Sequence, residues 1–396
     1  MIKGVHLSLL IGDVVATAAP AEVVEALTSV QVTVSAGQRS GFQLTLAAGR
    51  ASIISSRLLP MGFFDPPRRV ILVATINGRA EVLIDGVITR HEISASNDPG
   101  QSTITITGED LSVLMDMIDF SGIPYPAMPF EPRALLCIAK YAAFGIIPKV
   151  IPSVLIAVEN PLTRIRLHQG TDYEYLRSMA EQVGYVFYIE PGPVPGMNFA
   201  YWGPEIKFGI PQPALTVSSD AHSNVDSMSF SFNGIAKKLF ILYVQVPATP
   251  PTSFPIPLPD ITPLNPPLGP KIPIPLRTEF LARPPVRDPG NTEPDPPTIP
   301  PRRGSVSMPP LQQVLLAMAK ASRSADVITG SGQLNVLRYG RTLKARELVA
   351  VRGAGITYDG FYCVKSVTHN LKRGEYKQSF SLSRNANLPF VPVVPV

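Results

Sequence analysis

Apolar and polar residues alternate through much of the first hundred positions. Val30, Val32 and Val34 are interleaved with Gln31, Thr33 and Ser35, Phe42, Leu44 and Leu46 with Gln43 and Thr45, and Ile104 and Ile106 with Thr103, Thr105 and Thr107. A period of two with one polar face predicts half-buried antiparallel strands. RVILVATINGRAEVLID adds two strands around Asn77-Gly78, a pair that accepts the positive φ angles of a two-residue hairpin turn.

After Gly108 the period changes. Leu111, Leu114, Met115 and Ile118 fit a helix that starts near Glu109 and Asp110. Glu131-Pro132 opens a second, with Leu135, Leu136, Ala139 and Ala142 on one face and Pro132 in the first turn. The third is the best marked. Thr171 and Glu174 have capping-box spacing, Tyr173, Leu176, Met179, Ala180 and Val183 form one face, and Gly184 stops it. Tyr185, Phe187 and Ile189 then alternate as a strand, Leu311, Val314, Leu315 and Met318 mark a late helix, and Phe380 and Leu382 alternate with serines near the end.

Between Pro247 and Pro301 lie 20 prolines in 55 residues, much of the total of 43. Proline lacks a backbone donor and fixes φ, so this stretch can form neither a helix nor a central strand; polyproline II or an ordered surface loop is expected. It reads as an inserted spacer or as a partner-docking arm. Ile256, Leu258, Ile261, Leu264, Ile272 and Ile274 favour docking on protein, because a solvated linker is more polar.

Two segments echo each other. VLIDGVITRHEISASNDPGQSTITITGED and GITYDGFYCVKSVTHNLKRGEYKQSFSLSRN, 274 residues apart, each run from an Asp-Gly pair (Asp85-Gly86, Asp359-Gly360) through strand, polar turn and strand. That is a hint of two related β domains, against the plainer view that one hairpin resembles another.

Composition sharpens this. The 396 residues suit two to four domains. Charged residues are only 16 %, below the roughly 25 % of a typical soluble protein. So thin a charged skin suggests a surface covered by other subunits. Cys137 and Cys363 cannot make a disulfide framework or a four-ligand zinc site, and they fit a reducing compartment, with one bridge left open. No apolar run is long enough to span a membrane. Lys3 followed by HLSLLIG faintly resembles a signal peptide, but His6 and Asp13 interrupt it, so cytoplasmic synthesis is expected.

Catalytic signals are weak. There is no P-loop and no nucleophile elbow, and the glycines at 353–355 suit a turn. His6, His91, His168, His222 and His369 are isolated, so no metal site and no cofactor is expected. Glu109, Asp110, Asp116 and Asp119 cluster as an acid–base pair needs, but the first two sit at a helix start, where the macrodipole favours acids. Residues 335–384 carry 10 Lys and Arg against 3 Asp and Glu, a local +7 in a chain of net charge +5. That patch suits an acidic partner better than sequence-specific nucleic acid, since its aromatics fit a β core.

Three ordered segments resemble one family, the baseplate hub proteins of contractile phage tails (the late control D group), which also covers the hub part of type VI spike proteins and phage-tail-like injection systems. They are DGVITRHEIS through TITGEDLSVLMD, the helix TDYEYLRSMAEQVGYVFYIEPG with Tyr173, Leu176 and Gly184, and the closing hairpin with Gly360, Val364, Val367, His369, Gly374, Tyr376 and Arg384. The resemblance implies an α+β, mainly β fold with two related tube-type antiparallel β-barrel domains, intervening helical and mixed elements, and a proline-rich insertion outside the family pattern. The boundaries expected are 1–115 for the first tube-like domain, 116–204 for the helical and mixed region, 205–246 plus 330–390 for the second tube-like domain, 247–310 for the insertion and 311–329 for a helix. It further implies a non-enzymatic homotrimer that joins a sixfold inner tube protein to a threefold spike, braced by baseplate or sheath components. The sequence closes at LPFVPVVPV, so the spike is expected to be a separate chain. The alternatives are a tail-associated cell-wall hydrolase using the carboxylates of 109–119, tested at Asp116 and Asp119, and a nucleic-acid-binding β protein using the basic C-terminal domain.

Overall fold

The computed structural model describes residues 4–49, 52–96, 101–153, 166–217, 223–246, 252–258, 265–281 and 310–390. The N-terminal half begins with β1 (Val5–Gly12), β2 (Ala16–Ala18) and α1 (Ala21–Ala26). It continues with β3 (Leu27–Ser35), β4 (Gly41–Ala47), β5 (Arg69–Ile76), β6 (Arg79–Ser94) and β7 (Thr103–Asp110). Alternation dictates the faces: Val30, Val32, Phe42, Leu44, Leu46, Ile104 and Ile106 are all buried in one core. Asn77 and Gly78 have φ of 49° and 81°, and the hairpin closes with Ile76 opposite Arg79.

A mixed unit follows: β8 (Pro124–Tyr125), α2 (Phe130–Ala139), β9 (Ile146–Val150), β10 (Arg166–Leu167), α3 (Asp172–Gln182), β11 (Tyr185–Pro191) and β12 (Asn198–Pro204). Its helices cover the three-stranded sheet β11-β12-β9 around a second core that includes Leu176, Met179 and Trp202. Three helix expectations change here. After Asp110 there is only a 3₁₀ turn, Leu111–Asp116, and Ile118 is exposed, because Asp110 caps the turn by accepting from the Ser112 N–H at 2.9 Å. On α2 the buried stripe is Phe130, Ala134, Cys137 and Ile138, while Leu135, Leu136 and Ala139 face outward; Ala142 falls beyond the helix, in a 3₁₀ turn, and is exposed too. On α3 the capping box forms as expected, but Tyr175 is buried and Tyr173 only half-buried.

The C-terminal half contains β13 (Gln212–Thr216) and β14 (Val225–Phe232), and, after an insertion, β18 (Ile328–Asn335), α5 (Val336–Tyr339), β19 (Leu348–Arg352), β20 (Gly360–Lys372) and β21 (Glu375–Arg384). The insertion holds β15 (Lys238–Val246), β16 (Thr252–Leu258), β17 (Arg277–Leu281) and α4 (Pro310–Arg323). β15 therefore pairs with β16 and β17 rather than with the second β half. The loop expected for the proline segment is partly an edge strand: Pro255 and Pro257 on β16 stand opposite Tyr243 and Ile241. Two prolines spaced by two put both missing N–H groups on one side, which is compatible with a sheet margin.

The two β halves have the same plan. In the first, sheet neighbours run β3-β4-β7-β6-β5-β1; in the second, β14-β18-β21-β20-β19-β13. Chain order is preserved too, so β1, β3, β4, β5, β6 and β7 correspond to β13, β14, β18, β19, β20 and β21. Register agrees residue by residue. Ile88 faces Gly108 as Val364 faces Leu382, and Arg90 faces Thr107 as Ser366 faces Ser381, with one extra residue bulged between in each hairpin. β3 and β14 also share a bulge, after Leu27 and after Val225. Only the last pair differs, antiparallel for β5–β1 and parallel for β19–β13. The Asp-Gly pairs are not equivalent: Asp85 stands opposite Ile71 on β5, the place that Phe361 takes opposite Ala350 on β19. The whole insertion occupies the position of the five-residue β3–β4 turn. β20 then pairs with β3 and fuses the halves into one 13-stranded sheet.

Candidate functional site

The family-motif residues stabilise the fold. His369, fully buried, lies 2.8 Å from the Tyr376 hydroxyl, and Gln378 approaches the same nitrogen at 3.3 Å while exchanging hydrogen bonds with the Leu343 backbone. Arg384, also fully buried, donates from Nη1 to the Asp359 carbonyl at 2.9 Å and from Nη2 to the Leu388 carbonyl, and stacks over Tyr362. Gly360 has φ of 122°, and a Cβ there would press to 3.3 Å on that guanidinium and 3.2 Å on Pro389, so the arginine and the glycine need each other. Gly374 and Gly184 sit at the β20–β21 turn and just past α3, both at positive φ. Leu176 is buried and its carbonyl accepts from the Trp202 indole at 3.2 Å; Tyr173 stacks under Arg39 at 3.8 Å.

The carboxylates at 109–119 are also held by local partners. Asp110 accepts from the Ser40 and Ser112 N–H groups, and burial raises its pKa. Asp116 accepts from Arg39 at 2.6 Å and from the Thr171 hydroxyl at 2.6 Å; burial works against its charge, but these bonds outweigh it and hold the pKa low. Asp119 accepts from Ser121 and is likewise lowered. A general acid near neutral pH needs a raised, accessible carboxyl, which neither Asp116 nor Asp119 supplies. Several of the basic C-terminal residues are similarly engaged: Lys365 with Asp326 and Glu205, Arg338 and Lys377 with Asp226, Arg346 with the Ser35 carbonyl.

In the proline-rich arm, Leu258 packs in the insertion's own core with Phe240, Leu242, Ala317 and Ala321. Ile256, Ile272 and Ile274 are exposed, and Ile261 and Leu264 lie outside the described residues. The arm is clasped by Asn385, whose side chain accepts from the Leu268 N–H and donates to Asn265 and Pro266.

Besides the end strands β2 and β13, two margins of the 13-stranded sheet stand open among the described residues: β14 pairs only with β18, and the far half of β6, from Arg90 to Ser94, pairs only with β7. These margins are the counterparts of a junction already made inside the chain. There, Ser366–Lys372 of β20 runs antiparallel to Ser35–Ser29 of β3. Carrying that register through the duplication sets Arg90 opposite Asn233, Glu92 opposite Ser231 and Ile93 opposite Phe230. Ile93 is 53 % and Phe232 46 % exposed, a large apolar residue on each margin. Linear periodicity could not reveal these positions; the alternating serines and phenylalanines of SMSFSF were the available signal. Among the described residues, one group has the chemistry of metal ligands, Cys137, His168 and Asp172. No helix there is long and apolar enough to cross a membrane.

No protein-family model and no curated protein sequence matches the chain. Solved structures do. The tail protein from Neisseria meningitidis superposes with a TM-score of 0.60 at 12 % identity, over 96 % of this chain and 97 % of that one. The 43 kDa tail protein of prophage MuSo2 from Shewanella oneidensis gives 0.59 at 13 %, over 96 % and 99 %. A chain of the Francisella PdpA–VgrG complex gives 0.57 at 9 %, over 100 % of this chain and 55 % of that one. At these identities the likeness is one of architecture: over nearly its whole length, the chain has the mainly β fold of these tail proteins.

Proposed function

We propose that the protein is a structural baseplate hub, a homotrimer that adapts a sixfold inner tail tube to a threefold spike in a phage tail or contractile injection particle. The observation that carries this reading is the duplicated sheet with complementary open margins. Each chain makes one β20–β3 junction within itself and leaves one equivalent pair, β6 and β14, unmade. Joining β6 of one copy to β14 of the next repeats the internal junction, and a head-to-tail contact of this kind closes into a ring or runs on as a filament. Three chains give six β units, which matches a sixfold tube, and the tail-protein fold supports closure at three. Pairing would cover Ile93, Phe230 and Phe232 and remove these two exposed margins, which otherwise invite indiscriminate strand addition. The work is done by buried interfaces, with no reaction assigned; synthesis is in the cytoplasm and assembly in the particle with inner tube, spike and baseplate or sheath proteins.

The register gives a sharp test. Thr33 and Thr368, the internal counterparts of Ser231 and Glu92, have hydroxyls 3.2 Å apart. The double variant Glu92→Cys/Ser231→Cys is expected to form disulfides between protomers and a denaturant-resistant trimer. Moving one cysteine a single position, to Phe232, turns it to the other face and abolishes the link. Light scattering should give three times the 42.7 kDa protomer mass. A monomer at assembly concentrations, or equal cross-linking at both registers, rejects the proposal.

A further inference from the structure

Three side chains far apart in sequence converge in the mixed unit. Cys137 comes from α2, His168 from the link after β10, and Asp172 from the first turn of α3. All three are fully buried, and their ligand atoms lie within 4.8 Å of one another. The imidazole is held on every side but one. It stacks on Tyr175 at 4.2 Å, meets Phe120 edge-on, and places Nδ1 3.1 Å from the Tyr125 hydroxyl. Nε2 is buried with no hydrogen-bond partner; the nearest Asp172 oxygen, Oδ1, is 3.8 Å away, too far to accept. An orphaned buried nitrogen costs the fold its desolvation, so a native fold rarely keeps one without use.

We propose that Cys137 Sγ, His168 Nε2 and Asp172 Oδ1 are three ligands of a divalent transition-metal ion of the zinc type, with water in the fourth position. One sulfur, one imidazole nitrogen and one carboxylate oxygen suit zinc or cobalt rather than magnesium or calcium, which take oxygen ligands.

The surrounding groups are those such a site requires. If Nδ1–H donates to the Tyr125 oxygen, the Nε2 lone pair faces the cluster. The Tyr125 hydroxyl, 3.8 Å from Cys137 Sγ, then donates to the thiolate. Tyr141 donates to Asp172 Oδ2 at 2.9 Å, and Lys140 approaches both carboxylate oxygens at 2.8 and 3.0 Å. Oδ1 serves the metal as Lys140, one-third exposed and lying over the Phe120 ring, withdraws onto Oδ2. The ion replaces the thiol proton, which leaves to solvent, and the metal–sulfur bond forms from the thiolate pair with no change of oxidation state. Ligand atoms around a tetrahedral ion stand about 3.5 Å apart, so the cluster contracts slightly. The effect is a clamp between α2 and α3.

The test uses the full-length protein. Metal content is measured after purification without chelator, and the chelator-treated protein is titrated with Co²⁺ and Zn²⁺. One ion per chain, a near-ultraviolet sulfur-to-cobalt charge-transfer band and a higher Tm with zinc are expected. Cys137→Ser and His168→Gln should lose the band or the uptake, Tyr125→Phe should bind about 10-fold more weakly at unchanged stoichiometry, and Cys363→Ser should be unaffected. No uptake by the folded wild type overturns the proposal, and so does uptake that survives Cys137→Ser with its cobalt spectrum unchanged. Should a variant fail to fold, the wild-type cobalt spectrum decides alone, since only a thiolate ligand gives that band.

Discussion

At the scale of single residues, the positions that carry the family resemblance are pins rather than reactive groups. His369 shows this through pH. Burial depresses its pKa from 6.5 to about 4, so it is neutral in the fold, next to Tyr376 and Gln378. The unfolded chain takes up a proton near 6.5 that the folded chain refuses until about 4. The stability His369 permits is therefore complete above 6.5 and is lost as pH falls from about 6.5 towards 4, by at most about 3 kcal/mol. Comparing Tm for the wild type and His369→Asn should show a wild-type advantage at pH 7 that shrinks steadily to pH 4. A difference independent of pH would mean that the histidine is already protonated or exposed.

At the scale of elements, α2 carries two apolar stripes and the chain buries only one. Leu136→Ala should leave stability within about 0.5 kcal/mol, whereas Ile138→Ala should cost about 2–4 kcal/mol in urea unfolding. Equal costs would place both stripes in contact. The contrast explains what could be read from sequence. Strands β3, β4 and β7 were legible because one face is polar, so alternation names the buried side. α3 was legible because Thr171, Glu174 and Gly184 mark its ends. α2 was not, because Leu135 and Leu136 look as buried as Cys137 and Ile138 until Phe130 and the underlying sheet select a face. The kinship of the two hairpins shows in the sequence, but the Asp-Gly pairs set it two residues off on the first strand, because bulges at Thr89 and Lys365 fix the true alignment. The open margins were illegible for a deeper reason. An edge is a property of topology, and the Cys137–His168–Asp172 cluster likewise exists only once α2 and α3 are packed.

At the scale of the whole molecule, the insertion is separable. It replaces a five-residue turn in an otherwise repeated plan, and its neck is closed by the Asn233 N–H donating to the Val327 carbonyl at 2.9 Å. It has its own small core, in which α4 covers β15 and β16. Its ties to the rest include the Asn385 clasp and the isolated bridge from Lys271 to Asn387. Neither engages the Arg90–Ser94 or the β14 margin. Its outer surface presents Ile256, Ile272, Ile274, Leu276 and Phe280, more apolar area than a free appendage needs. On the hub reading, that surface faces a baseplate or sheath neighbour while the ring is closed by β6 and β14 alone. Replacing residues 234–325 by a short Gly-Ser linker should therefore leave a trimer by light scattering and preserve the Glu92→Cys/Ser231→Cys cross-link, with Tm lowered by a few degrees, about the effect of losing one or two kcal/mol of docking contacts. The same variant should incorporate poorly into particles with an outer baseplate. A monomeric product would move the insertion into the ring interface, and full incorporation would leave its apolar face without a partner, so each result contradicts a different part of the assignment.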